Sequence, residues 1–260
     1  MLYKNFNNVV LVLAAGILLF PIFVLAQKPE LKGALNEIVK IKGGNIETPA
    51  SQKDALKKIL ELTALEIKDL QSQLNKLKDL SADHVKLKNQ FLLDLENYLK
   101  NLESFNNELS ADGAILDPIQ NLAAKLKSWR ENVYNPAAQN IVTFLLIYRE
   151  QTILKIADDR YDRISSDVKK LALAKLFETD ELEILLNEAA ANLKAAHALN
   201  DEAKIALTKL LESPEINNVQ NSEEKPQLSD VQELVKKSLA KIKVVYQIFF
   251  EMSSLVKKLL

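Results

Sequence analysis

The sequence predicts an all-α protein: an elongated multi-helix bundle with coiled-coil-like packing, preceded by an N-terminal hydrophobic targeting helix. Three observations carry that expectation. Of the five glycines in 260 residues, Gly16, Gly33, Gly43 and Gly44 precede residue 45 and only Gly113 follows. Glycine supplies the positive-φ turns of β-hairpins, so the rest of the chain has little material for them. Long Leu/Lys/Glu/Ala tracts then repeat apolar residues at alternating spacings of three and four. Finally, an 18-residue apolar run, Val9 to Ala26, opens the chain.

That run reads as a targeting segment over residues 1–26. Lys4 and the α-amino group give a weakly positive start. Val24-Leu25-Ala26 gives a small-x-small site for cleavage, and Pro21 ends a helix shortly before it. The run also reaches the length at which an uncleaved anchor becomes feasible, about 18–20 apolar residues. In both cases the expected location is outside the cytoplasm: exported (periplasmic or extracellular), or anchored to the cytoplasmic membrane through residues 9–26 with the body outside. Residues 27–50 form a connector broken by Pro29, Gly33, Gly43-Gly44 and Pro49.

Residues 51–260 form the expected helical bundle domain. Leu56, Leu60, Thr63, Ile67, Leu70, Leu74 and Leu77 make one seam, and Leu87, Phe91, Leu95, Tyr98, Leu102, Phe105 and Leu109 a second. The two are out of phase around 80–84. Such a jump marks either a local overwinding or a turn. With no Gly, Pro or capping box there, one long bent helix of about 85–90 Å is the expectation. Gly113 ends it. Asp117-Pro118 restarts a helix, with Ile119, Leu122, Leu126, Trp129 and Val133 on one face. Asn135-Pro136 repeats the start signal, which predicts a fold-back or a sharp kink. The next helix extends to about Leu176 and is apolar nearly all round over Ile141–Tyr148. Asp180-Glu-Leu-Glu183 opens another, whose seam holds Leu182, Leu186, Ala189, Leu193, Ala196, Asn200, Ala203, Leu207 and Leu210. There the alanines allow close approach and Asn200 fixes register. A polar linker, 213–228, precedes a last helix capped at Ser229, with Val231, Leu234, Val235, Ile242, Val245, Phe249 and Met252 along its core stripe.

Composition excludes several function classes. Basic and acidic residues number 34 and 35 and are interspersed. No basic face suited to nucleic acid emerges. The absence of Cys removes thiolate catalysis and the usual zinc sites. No phosphate-binding glycine loop, HExxH or EF-hand loop is present. Neither His84 nor His197 has the Glu three residues earlier that di-iron bundles require; Ser81 and Lys194 stand there. No catalytic, cofactor or metal site is expected. His197 is placed for a surface i,i+4 pair with Asp201.

One constellation stands out. All four arginines, Arg130, Arg149, Arg160 and Arg163, and the single Trp, Trp129, fall between residues 129 and 163, although four Arg are a small share of 34 basic residues. On a helix, Arg149, Arg160 and Arg163 share an arc of about 60°. Guanidinium holds planar contacts at partly buried positions better than ammonium does. These residues are read first as an inter-helix ion-pair network. The alternative is an anion or partner site walled by Trp129 and Tyr134. The implied role is non-enzymatic: an extracytoplasmic scaffold or partner-interaction protein of the cell envelope, with self-association or a protein partner. An anion- or small-ligand-binding bundle is the alternative, and a periplasmic chaperone-like protein a third possibility. No cofactor is implied.

Overall fold

The computed structural model describes residues 49–111, 116–174, 179–212 and 227–259. The expected targeting segment, nearly all of the connector and most of the polar linker lie outside the described residues. Within them the chain is all helix, without a strand. The helices are α1 (Pro49–Asn75), α2 (Ala82–Ala111), α3 (Leu116–Trp129), α4 (Asn135–Ala174), α5 (Asp180–Glu212) and α6 (Leu228–Leu259). A five-residue π segment, Arg130–Tyr134, joins α3 to α4 without a break, so 116–174 is one helical run and five separate helices result. No described helix is long and apolar enough to cross a membrane. Two compact units divide the described chain at 145/146, inside α4.

The unit 49–145 buries the two seams read from the sequence: Leu56, Leu60, Thr63, Ile67, Leu70 and Leu74 from α1, and Phe91, Leu95, Leu102 and Leu109 from α2. The single long helix expected over 51–109 is instead two helices. Asp79, in the connection between α1 and α2, sits at φ 57°, a left-handed conformation. Aspartate tolerates it better than most residues because its short side chain can bond locally. The last turn of α1 tightens, with Lys76 N and Leu77 N donating to Gln73 O (3.2 Å) and Leu74 O (3.1 Å). Lys88 Nζ reaches Leu77 O at 3.5 Å. Ser81 then caps α2: Val85 N donates to Ser81 O at 2.8 Å, and His84 N to Ser81 Oγ at 3.4 Å. A stop without glycine and a cap without the full capping box therefore suffice.

Of the two outcomes expected at Asn135-Pro136, a fold-back or a sharp kink, the fold-back does not occur: the helical run continues through both residues. Proline has no N–H, and in an α-helix its ring crowds the carbonyl four residues earlier. Here the preceding turn widens, and Asn135 N–H donates to Arg130 O in the i→i−5 register. The wide turn also rotates the inward face. Ile119, Leu122 and Leu126 are buried as expected, but Val133 is 44% exposed and Tyr134 takes the inward position. Ala138, Ile141, Phe144 and Leu145 continue that shifted face.

In the unit 146–259, α4 contributes Leu154, Ala157 and Val168, with Ile153, Tyr161 and Ile164 packed beside them. From α5 come Leu182, Leu186, Ala189, Leu193 and Ala196, and from α6 Ile242, Val245, Phe249 and Met252. Asp180 begins α5 as expected, with Thr179 before it: Glu183 N donates to Thr179 O at 2.9 Å. The cap of α6 lies two residues earlier than expected. Gln227 N donates to the Asp230 carboxylate at 2.8 Å, and Asp230 N returns to Gln227 O at 3.0 Å, which leaves Ser229 inside the first turn.

The left-handed Asp79 gives the first testable outcome. Asp79→Gly should raise stability by about 0.5–1 kcal/mol, because glycine takes positive φ without a Cβ penalty, whereas Asp79→Val should lower it. Urea unfolding of the two variants checks the ordering.

Candidate functional site

The five sequence-selected residues fall in both units, and each group is described within its own. Trp129 and Arg130 belong to the unit 49–145; Arg149, Arg160 and Arg163 belong to the unit 146–259.

The first group is organised by the π segment. Arg130 is 2% exposed, an unusual degree of burial for arginine. Its guanidinium faces α1, where NH1 donates to Thr63 Oγ1 and NH2 lies 3.5 Å from a carboxylate oxygen of the partly buried Glu66. Thr63 Oγ1 in turn donates to Ile59 O at 2.8 Å, so the hydroxyl is held ready to accept from the arginine. The Arg130 guanidinium also lies 5.2 Å from the centre of the Tyr134 ring. Trp129 stacks on Tyr134, with centroids 5.5 Å apart and planes at 15°. From α2, Tyr98 meets both rings edge-on at 5.9 and 5.8 Å, and Phe105 meets Trp129 at 5.8 Å. Tyr134 is fully buried, and burial first, then the Glu66 carboxylate, push its phenol far above the ordinary value. It therefore stays neutral. Three donors in this cluster have no acceptor: Trp129 Nε1, Arg130 Nε and the Tyr134 hydroxyl.

The arginines of α4 have different surroundings. The Arg160 guanidinium lies 5.6 Å from the centre of the Tyr246 ring of α6, and burial lowers its pKa from the ordinary value. Arg149 is half-buried and Arg163 exposed. His197 does not pair along its own helix with Asp201. Its Nε2 lies 2.9 Å from Asp158 on α4, linking α5 to α4, while Asp201 pairs with Lys204 at 3.0 Å.

A group that sequence reasoning missed lies deeper. Glu150 of α4 is 1% exposed, surrounded by Asn200 of α5 (1%) and Ser238 of α6 (0%). Neither of its carboxylate oxygens has a hydrogen-bond partner. Ser238 and Asn200 stand close enough to favour the charged form, but Ser238 Oγ donates to Ala196 O at 2.8 Å and one N–H of the Asn200 amide to Ile147 O at 3.1 Å. Burial dominates and pushes the Glu150 carboxyl up to about 7, opposed by Ser238, Asn200 and the Lys204 ammonium. Once protonated, the carboxyl can donate to a neighbouring oxygen instead of sitting as an unpaired charge. The signal was present in the sequence. Seven residues before Ala157 on its core stripe falls Glu150, and seven before Val245 falls Ser238.

Among the described residues no group of three or more His, Cys, Asp or Glu could hold a metal ion. Known protein families, curated proteins and solved structures contain no match to this chain.

Two outcomes follow from these clusters. Arg130→Ala leaves Glu66 beside the core without its cation and should destabilise the protein by about 3–5 kcal/mol. Adding Glu66→Gln should recover part of that loss, which a double-mutant cycle in urea measures. For Glu150 the folded pKa lies above the unfolded value of 4.5, so between about 4.5 and 7 the folded state holds a proton that the unfolded state has lost. Stability should therefore fall as pH rises through that window and level off above it, by about 3 kcal/mol in total. Glu150→Gln should flatten the profile and stabilise the protein at pH 8. Thermal melts from pH 4.5 to 8.5 decide it.

Proposed function

We propose that this chain is a non-enzymatic helical scaffold or partner-interaction protein of the cell envelope, with its body outside the cytoplasm. Its location rests on residues 1–26, whose apolar run and small-x-small end suit export or anchoring. The interaction role rests on where the rare side chains stand. Arg130 is engaged with Glu66 and Thr63, Arg160 lies over Tyr246, and Trp129 is stacked on Tyr134. Groups that would single out a reactive centre serve instead as contacts between helices. Large apolar side chains point outward, Leu173 at 84% and Ile184 at 66% exposed among them. A surface of that kind suits contact with another macromolecule.

A second reading has its own support. The unmet donors Trp129 Nε1, Arg130 Nε and Tyr134 hydroxyl would favour an acceptor, which keeps an anion- or small-ligand-binding bundle in view. Trp129 reports on it directly.

Membrane fractionation with sequencing of the mature N-terminus tests the main reading. The expected result is recovery from the envelope or the exported fraction; full-length protein in the cytosol with residues 1–26 intact overturns it. Titration of the purified chain with carboxylate and phosphate anions should leave Trp129 fluorescence unchanged. A saturable response abolished by Arg130→Lys would favour the second reading.

A further inference from the structure

α5 has two apolar faces, and only one is covered. The inner seam, Leu182 to Leu207, is buried within its own unit. On the outside, Ile184, Ala191, Ala198 and Ile205 recur every seven residues, and all four are exposed, the isoleucines at 66% and 57%. A strict seven-residue repeat drifts only about 20° per step around a helix, so these four form one stripe. Ala195, half-buried, lies beside its centre.

The stripe is symmetric. About the midpoint between Lys194 and Ala195, Ile184 mirrors Ile205 and Ala191 mirrors Ala198. The charges at its ends are also mirrored, with opposite sign: Asp180, in the acidic first turn, corresponds to Lys209, in the last. Both are exposed. A twofold axis through that midpoint would set α5 of one copy antiparallel to α5 of the other. Isoleucine then meets isoleucine's counterpart, alanine meets alanine, and each Asp180 faces a Lys209. Glu202 falls opposite Asn187, and Glu188 falls opposite Asp201 beside the stripe, where the Lys204 ammonium, 3.0 Å from Asp201, offsets the like charge. Alanines at the centre permit the close helix approach that Ala189, Ala196 and Ala203 provide on the inner seam. Self-complementarity of this kind is what an isologous interface requires.

We propose that the outer face of α5 is a homodimer interface, in which a second copy of this chain docks antiparallel along about 44 Å from Asp180 to Lys209. The inference rests on the reading of the chain as an interaction protein and names one partner. Its failure would be distinct from failure of that reading, which fractionation decides.

The chain has no cysteine, so single thiols can be placed cleanly. In sedimentation equilibrium the full chain should be dimeric at tens of micromolar, and Ala198→Glu should raise the dissociation constant at least about tenfold. Asp180→Lys should weaken the dimer and Lys209→Asp added to it should restore it. Under mild oxidation, Ala195→Cys, next to the axis, should cross-link to its own copy. Ile184→Cys and Ile205→Cys should cross-link only when the two variants are mixed. A monomer at every concentration overturns the proposal, as does cross-linking of Ile184→Cys alone, which would mean a parallel pair. An unreactive thiol at Ile184→Cys in a monomeric protein also overturns it, since another part of the same chain would then cover the face.

Discussion

The widened turn at Arg130–Tyr134 is the constraint on which the first unit depends. Proline at 136 cannot donate to the ladder, and the helix continues through it by taking one wider turn just before it. That turn changes which residues face α1 and α2. Without it, the spacing of Leu122, Leu126 and Trp129 would send Val133 inward; with it, Tyr134 is buried and Val133 meets solvent. Arg130 comes to face Thr63 and Glu66, and Tyr134 comes to lie against Trp129. The aromatic cluster and the buried ion pair are both consequences of one local change in hydrogen-bond register.

Both units place polar groups where apolar ones would pack more simply. A buried ion pair offsets its desolvation only with good geometry and further hydrogen bonds. Arg130 comes near that condition, since Thr63 accepts from one nitrogen while Glu66 lies within ion-pair distance of another, although its Nε has no acceptor. Glu150 does not meet it. Its neighbours Asn200 and Ser238 bind helix carbonyls, so its carboxyl avoids an unpaired charge by keeping its proton near neutrality. The first arrangement fixes how the π segment sits on α1. The second makes the packing of α4, α5 and α6 sensitive to pH. Around it, Asn200 to Ile147, His197 to Asp158 and Arg160 over Tyr246 all tie α4 to the other two helices.

Alanine gives α5 its double character. On the inner seam, small side chains let neighbouring helices come close enough for Ser238 to reach Ala196 O. On the outer face the same residue type leaves the helix flat between two exposed isoleucines. A flat stripe ending in opposite charges suits a straight, antiparallel helical partner better than a small ligand, which would need a concave site.

Sequence alone determined the helical class and most of the core. Periodicity reports which side of a helix is apolar, and the seams through Leu56, Phe91 and Leu182 are buried as their spacing requires. It also marked Asn200 as a polar core residue. Where helices end and how they are phased was decided by backbone geometry that no residue type announces. Asp79 adopts a conformation usually left to glycine, and Pro136, ordinarily a helix start, sits inside a continuous helix because the turn before it widens. The clustering of arginines along the chain was legible, but their grouping was not. Arg130 and Arg160 pair with residues distant in sequence, and only tertiary packing brings Glu66 or Tyr246 to them. Glu150 shows the same division: its heptad position was readable, but its unpaired carboxyl follows from where Asn200 and Ser238 direct their hydrogens.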